Sequence, residues 1–181
     1  MLILPYKGKR PSIGARVYVA PNATLIGDIE IGDDASIWFG TVLRADVQRI
    51  RVGARTNIQD NCTVHVTNED WPTIIEEDVS IGHNVIAHGC TIRRGALIGM
   101  GSILLDGSDV GEESLIGAGS LVPEGIRIPP RVMAFGSPVK VRRELTIEEL
   151  ERIRTSAPHY MEYKDVYLSE QRAESAGRQG R

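Results

Sequence analysis

The sequence is poor in the features that mark several common protein classes. It has only two cysteines, Cys62 and Cys90, and no CxxC pair, which argues against a disulfide framework and favours buried free thiols in a reducing compartment. Its net charge of −3 provides no basic surface for nucleic acid. No apolar run approaches the ~20 residues of a membrane span, and the apolar stretch at the start is too short for a signal peptide. We therefore expect a cytoplasmic protein that binds neither nucleic acid nor a membrane.

What the sequence does contain is a six-residue repeat of aliphatic side chains. A helix repeats every 3.6 residues and a strand every 2, so neither alone produces this period. The period predicts a three-sided solenoid, in which each hexad forms one side and its aliphatic residue points to the axis, with about six coils in all. The repeat positions are Ile13, Val19, Leu25, Ile31, Ile37, Leu43, Val52, Ile58, Val64, Ile75, Ile81, Ala87, Ile92, Ile98, Leu104, Val110, Ile116 and Val122.

The repeat is broken between Leu43 and Val52 and again between Val64 and Ile75. Excursions from a solenoid generally become loops on one face, often the binding face. We therefore expect a loop at each break.

The chain divides into two parts. We predict a β-helix domain over residues 1–135, and a linker, C-terminal helices and a polar tail over residues 136–181. A capping box at Thr146 opens the first helix, which should lie along the outside of the solenoid. Pro158 is expected to interrupt it, with a second helical stretch from about His159 to Gln171.

Three of the four histidines, His65, His83 and His88, lie within one segment of 24 residues in the repeat. Three histidines and a water form the open tetrahedral zinc site that is used for hydration and hydrolysis. A single histidine in such a pattern is more often a surface or hydrogen-bonding residue. The spacing alone leaves both interpretations open.

Polar residues beside these coils could complete a site. Gln59 could orient a hydroxide or a substrate, and Asp46 or Asp60 could pair with Arg44, since metal ligands need hydrogen-bonding partners of their own. The alternative is structural: Asn57 and Asp60 would form corners, and Arg44 and Asp46 an ordinary ion pair.

Taken together, these residues resemble the motif of the gamma-class carbonic anhydrases, and most of all their compact bacterial branch. The resemblance covers roughly residues 8–168. Its parts, in chain order, are Arg44-x-Asp46, Asn57-x-Gln59-Asp60, His65 and Gly82-His83-x4-His88-Gly89-Cys90.

The resemblance implies a mainly β fold, a left-handed parallel β-helix, assembled as a homotrimer with metal sites at the subunit interfaces. His65 and His88 would come from one subunit and His83 from its neighbour. The ion would be Zn²⁺, with Fe²⁺ or Co²⁺ as alternatives, and its bound hydroxide would hydrate CO₂ to bicarbonate. The family's active-site amides match Asn57 and Gln59, and its charged interface and active-site residues match Arg44, Asp46 and Asp60.

The chain also departs from the best-characterised members of that class. They have a glutamate directly after Arg-x-Asp, where this chain has Val47, and a glutamate proton shuttle in an acidic loop. Here the loop after His65 offers only Glu69 and Asp70, so hydration could be slow. Three alternatives therefore stay open: a hexapeptide-repeat acyltransferase, a metal-dependent acyl-CoA thioesterase, and a non-catalytic metal-binding trimeric scaffold.

Overall fold

A computed structural model describes residues 1–68 and 70–179, and side chains up to Ala173. The strands, each two to eleven residues long, are β1 (Leu2–Leu4), β2 (Ser12–Ile13), β3 (Tyr18–Val19), β4 (Thr24–Ile31), β5 (Ser36–Ile37), β6 (Val42–Val52), β7 (Asn57–Ile58), β8 (Thr63–His65), β9 (Thr73–Ile75), β10 (Ser80–Ile81), β11 (Ile86–His88), β12 (Thr91–Ile92), β13 (Leu97–Ile98), β14 (Ile103–Leu104), β15 (Asp109–Val110), β16 (Leu115–Ile116), β17 (Leu121–Val122), β18 (Arg127–Ile128), β19 (Val132–Phe135) and β20 (Lys140–Glu144).

These strands form three parallel ladders, which are the faces of a solenoid of about seven turns. The first face contains β8, β11, β14 and β17 with the first halves of β4 and β6, and the second face contains β9, β12, β15 and β18 with their second halves. The third face runs from β3 through β5, β7, β10, β13 and β16 to β19, and β20 pairs back onto β19 in antiparallel fashion. The predicted mainly β, hexapeptide-repeat solenoid is confirmed, with about one turn more than expected.

In-register pairing stacks the repeat positions into three buried columns. On the first face, for example, Leu43 pairs with Val64, and Val64 with Ala87. All three are fully buried. Since burying an aliphatic side chain contributes roughly 1.5–3 kcal/mol, the columns supply the main stabilisation of the fold. Residues on either side of a column position must then point outward, which is how the solenoid presents its polar side chains.

The first break in the repeat does not form the predicted loop. Val42–Val52 is one continuous strand, β6, which passes from the first face to the second. The additional residues are absorbed by a shift in its register against β4, between Gly27 and Ile29. Gly27 has φ +85°, and a Cβ there would lie 2.1 Å from the carbonyl oxygen of Ala45, so only glycine fits this crossing. The second break does form a loop, which is closed by an isolated bridge between Thr67 and Trp71.

Charged residues follow the corner between the second and third faces. This corner repeatedly uses the left-handed conformation, at Arg16, Asp34, Arg55, Asp78, Gly95, Glu113 and Arg131. The signs alternate from Arg16 to Asp78, and neighbouring coils are joined by ion pairs such as Arg16 with Asp34 and Arg55 with Asp78.

Two helices follow the solenoid. The predicted capping box of α1 (Ile147–Arg154) is present at Thr146. The second helix, α2 (Ser156–Gln179), begins earlier and extends further than predicted. Pro158 lies in its first turn, where a missing backbone N–H costs no helical hydrogen bond, so it does not separate the helices.

Helix α2 packs on the outside of the solenoid against β3 and β5. Tyr167 lies against Tyr18 and Trp38, with ring centroids 5.2 and 5.4 Å away. Lys164 of the same helix is fully buried and reaches Asp34 at the charged corner. No helix in the described residues is long and apolar enough to cross a membrane.

Candidate metal centre

His65 and His88 lie side by side on neighbouring coils of the first face. Their strands pair in register, so each histidine follows a buried column residue, Val64 or Ala87, and points outward. His65 Nδ1 is 3.0 Å from His88 Nε2. The insertion between them, which obscures their relation in the sequence, leaves the register of the two strands intact.

Each of these imidazoles is held by a carboxylate on its far side. Asp46 Oδ1 is 3.1 Å from His65 Nε2, and Asp106 Oδ1 is 2.6 Å from His88 Nδ1. A carboxylate accepts, so each outer ring nitrogen donates its proton to the adjacent aspartate. In neutral rings, the inner nitrogens His65 Nδ1 and His88 Nε2 then have lone pairs that face each other.

This arrangement fits a metal ion. The two inner nitrogen atoms are 3.0 Å apart, so their lone pairs repel each other unless a cation lies between or beside them. Imidazole nitrogens whose rings are hydrogen-bonded to carboxylates are usual ligands of zinc. Burial also lowers the pKa of His65, which favours the neutral form that binds metal. Burial raises the pKa of Asp46, but hydrogen bonds from His65 and Arg44 outweigh this and hold the carboxyl pKa below its usual range.

His83 lies apart from this pair in the fold. It is in the turn between β10 and β11, where its Nδ1 is 2.8 Å from Asp60 Oδ2. His83 lies in the turn before β11 and His88 is the last residue of β11, so the two histidines are at opposite edges of the first face. Within the described residues of one chain, no group of three metal-ligating side chains is close enough to hold an ion.

The predicted charged residues lie at two different edges of the first face, beside His65 or beside His83. Arg44 pairs with Asp46, on the His65 side. Asp60, which was also considered a partner for Arg44, instead holds His83 and accepts a hydrogen bond from the backbone N–H of Phe39 at 3.1 Å.

The two amides lie on the third face, one coil from His83. Gln59 Nε2 donates to Asn57 Oδ1 at 3.1 Å, and Asn57 Nδ2 donates to Ser80 Oγ at 2.8 Å. Both amide side chains are buried, and Gln59 and His83 line the same cavity of about 300 Å³. Asn57 thus orients Gln59 toward the His83 edge.

Comparison with known proteins agrees with both the fold and the histidine motif. Two family models match, "Bacterial transferase hexapeptide (six repeats)" over residues 10–45 and "Hexapeptide repeat of succinyl-transferase" over residues 72–106. The "Carbonic anhydrase" of Geobacillus kaustophilus is 49% identical over 180 residues, which cover 97% of each chain. "Gamma carbonic anhydrase 2, mitochondrial" of Arabidopsis thaliana is 44% identical over 167 residues, 90% of this chain and 60% of that protein.

The chain belongs to the gamma-class carbonic anhydrase-like family. The same fold occurs in a "hexapeptide transferase family protein" from Anaplasma phagocytophilum, which superposes with a TM-score of 0.88 at 42% identity, over 92% of this chain and 98% of that one. The fold therefore does not separate the gamma family from hexapeptide transferases.

The departures from the family motif lie at Val47 and in the loop after His65. Val47 is exposed beside Asp46. Asp70 is exposed at the loop surface, and Glu69 lies outside the described residues.

Sequence reasoning missed Asp106. It lies eighteen residues after His88, in the turn that follows β14 on the next coil. Its carboxylate also accepts a hydrogen bond from Thr67 Oγ1 at 2.5 Å. The spacing of eighteen was the only signal in the sequence, and many residues on this solenoid share it.

An aromatic pocket adjoins the His83 edge and was also not predicted. It has a volume of about 440 Å³ and one carboxylate, Asp60, and its other lining residues are Trp38, Phe39, Tyr160, Tyr163, Val166 and Tyr167. Burial, with the charge of Asp60 nearby, raises the pKa of Tyr160 to about 12. The phenol therefore stays protonated at physiological pH and can donate a hydrogen bond.

Proposed function

We propose that this protein is a gamma-class carbonic anhydrase-like enzyme, which hydrates CO₂ to bicarbonate at a divalent metal site. The observation that supports this most strongly is the His65–His88 pair, whose inner nitrogens converge while Asp46 and Asp106 hold the outer ones. Carbonic anhydrase relatives at 44% and 49% identity support the same reaction class.

The third ligand would be His83 of a neighbouring subunit in a homotrimer. His83 and the His65–His88 pair lie at opposite edges of the first face. If three first faces surround a threefold axis, each subunit's His83 edge meets the next subunit's His65–His88 edge, and the ring closes with three equal interfaces. The outward side chains of that face are largely apolar, as suits a buried interface: they include Val42, Ile86, Ile103 and Leu121.

Zinc held by three imidazoles lowers the pKa of bound water to about 7 and so supplies a nucleophile at neutral pH. Gln59, fixed by Asn57, presents its amide to the same edge as His83 and can hold the CO₂ oxygen or the attacking group. Arg44 and Asp46 keep His65 in place. Fe²⁺ and Co²⁺ remain alternatives because three imidazoles accept all of them.

A second candidate rests on the aromatic pocket. Its volume of about 440 Å³ far exceeds what CO₂ needs, and it lies beside Asp60. A metal-dependent acyl-CoA thioesterase would use that space for an apolar acyl group. A hexapeptide-repeat acyltransferase would need no metal, and a trimeric scaffold would keep the metal without turnover.

The decisive experiment combines metal analysis of the purified protein with a stopped-flow CO₂ hydration assay under reducing conditions, before and after chelation. We expect about one zinc per subunit and hydration that chelation abolishes and zinc restores. Acetyl-CoA turnover by metal-free protein would overturn the proposal in favour of an acyltransferase. Full metal content without hydration would instead favour the thioesterase, if acyl-CoA is hydrolysed, or the scaffold, if it is not.

A further inference from the structure

The loop that fills the second break contacts the surroundings of both metal-binding histidines. Thr73 Oγ1, just after the loop, donates to the backbone carbonyl of His65 at 2.5 Å. Thr67 Oγ1, at its start, donates to Asp106 Oδ2 at 2.5 Å. The other oxygen of Asp106 is the one bonded to His88. Both carboxylate oxygens of Asp106 are therefore engaged, and the ring of His88 is linked to the loop through a single residue.

Trp71 clamps this loop onto the solenoid. A backbone hydrogen bond of 3.1 Å from Thr67 to Trp71 closes the loop. The indole ring lies against Gly107, and the Cβ of Trp71 lies against Gly89. A Cβ on Gly107 would lie 3.0 Å from the indole ring, and one on Gly89 would lie 2.8 Å from Trp71 Cβ and 2.2 Å from Asp106 Oδ1. Gly89 and Gly107 thus leave room for the Trp71 side chain and, at Gly89, for the Asp106 carboxylate.

We infer that Asp106, Thr67 and Trp71 form a positioning clasp for His88, which sets the ring orientation and tautomer needed for metal binding. This inference rests on the proposed function, because it assumes that His88 is a metal ligand. None of the three residues needs to touch the metal or the substrate. Thr67 fixes one oxygen of Asp106, and the other oxygen then holds His88 Nδ1–H, so that Nε2 is left free to bind the ion.

The clasp explains why an exposed tryptophan is found here. Trp71 is 46% exposed, so it adds little to the aliphatic columns, and the core does not require it. Its contacts with the two glycines instead hold the Thr67–Trp71 bridge against the solenoid. Metal ligands need such support because a small misorientation of a ring costs affinity.

The test measures zinc affinity by competition with a chromophoric chelator, together with the visible spectrum of Co²⁺-substituted protein. Asp106→Asn should weaken zinc binding by about 10–100-fold and alter the Co²⁺ spectrum, since an amide accepts more weakly and can also offer an N–H to the ring. Asp109→Asn is the matched control. It makes the same change three residues further on and removes only the ion pair with Arg93, so its zinc affinity should stay within about twofold of wild type.

Two further sets of variants separate positioning from folding. Trp71→Ala and Thr67→Val should weaken zinc binding in the same direction, by up to about tenfold, and Trp71→Phe should largely restore it. Gly89→Ala should weaken binding because the new Cβ displaces Asp106. Gly125→Ala is its control, because it has a similar positive φ of +66° on the same corner but nothing within 4 Å of the new Cβ.

The outcomes distinguish this inference from the proposed function. If wild-type protein binds no divalent metal, the proposed function itself fails. Thermal unfolding first checks that Asp106→Asn and Thr67→Val are folded. If wild type binds zinc and these two folded variants keep the wild-type zinc affinity and Co²⁺ spectrum, only the clasp is wrong. Equal losses in Asp106→Asn and Asp109→Asn would also overturn it, because they would reflect charge or stability and not the contact with His88.

Discussion

His83 and His88 lie at opposite edges of one face, only five residues apart in the chain. Each edge has its own aspartate, with Asp60 on His83 and Asp106 on His88, so both imidazoles are oriented independently of each other. The proposed trimer would bring the two edges together, and this makes a prediction that does not depend on catalysis.

Mixed trimers should regain metal that neither parent binds. Trimers of His83→Ala alone, or of His65→Ala alone, lack one ligand at every interface and should bind almost no zinc. A trimer that contains both kinds of subunit has one interface where an intact His83 meets an intact His65–His88 pair, and should therefore bind about one ion. Co-expression with two different affinity tags, followed by metal analysis of doubly purified trimers, measures this.

Co-expression of His65→Ala with His88→Ala is the control. Both residues belong to the same edge, so a chain with both intact is never present and mixing should restore nothing. If that combination regained as much metal as the first, or if His83→Ala alone kept full stoichiometry, His83 would not be the ligand across the interface.

Asp34 should be worth more to stability than its exposure suggests. It is 3.2 Å from the fully buried ammonium of Lys164 and also pairs with Arg16. Asn tolerates the φ of 60° at this position, so Asp34→Asn should not strain the backbone. It leaves Lys164 with only the exposed carboxylate of Asp165 as a charged partner, and should lower the free energy of unfolding by roughly 3 kcal/mol. Urea unfolding measures the change.

The matched control for this prediction is Asp78→Asn. Asp78 has nearly the same φ, 59°, on the same corner, but its partner Arg55 is partly exposed, so the loss should be below about 1 kcal/mol. Lys164→Met should also cause only a small loss of stability, because it removes the buried charge that requires a carboxylate partner. Equal effects for Asp34 and Asp78 would show that the buried lysine does not depend on Asp34.

Tyr18 should reduce stability at alkaline pH. Its hydroxyl is buried and has no hydrogen-bond partner in the part of the chain that the structure describes. Burial, with Tyr167 and Asp60 nearby, raises the pKa of Tyr18 from 10.0 to about 12. The phenol ionises at a lower pH in the unfolded chain than in the folded one. The contribution of its raised pKa to the free energy of unfolding is therefore fully present below about pH 10 and is lost as the pH rises toward 12.

Tyr18→Phe should therefore flatten the alkaline decrease in the free energy of unfolding. At neutral pH it should cost nothing or stabilise by about 1–3 kcal/mol, because an unsatisfied buried hydroxyl is removed. Tyr6→Phe, at an exposed tyrosine, should change neither quantity. A loss of stability in Tyr18→Phe at pH 7 would mean that the hydroxyl is hydrogen-bonded in solution.

The fold was predictable because its buried positions recur every six residues through most of the solenoid, and burial of such positions dominates folding. Position 43 and position 64 stay in one column although the repeat is broken between them, because β6 accommodates the extra residues without leaving the ladder. A six-residue period cannot distinguish a bulge within a strand from a loop outside it. This is why the first break was wrongly predicted as a loop and the second correctly.

The site was only partly predictable. The histidines stood out because they cluster, and the register of β8 with β11 brings two of them together. Asp106 was missed because a single aspartate at a corner is common in this fold and only its contact with His88 distinguishes it. The aromatic pocket could not be found either, since it joins Trp38 to residues of α2 that are more than a hundred positions away.

Proton release should limit the proposed hydration of CO₂. Each CO₂ that is hydrated releases a proton, and the position after Asp46 holds Val47, which is exposed and cannot carry one. We therefore expect the hydration rate at saturating CO₂ to rise with imidazole buffer concentration at fixed pH and ionic strength. Stopped-flow measurement with a pH indicator tests this directly.

Val47→Glu should supply the missing proton carrier. At low buffer concentration it should raise the hydration rate by about tenfold or more and weaken the dependence on imidazole, because a general base contributes ~10²–10⁴-fold when well placed. Val47→Gln, which has a similar shape but no titratable group, should behave like wild type. If the wild-type hydration rate is independent of buffer concentration, proton release is not limiting and another group of the chain performs it. If Val47→Gln and Val47→Glu change the rate equally, any gain comes from polarity and not from proton transfer.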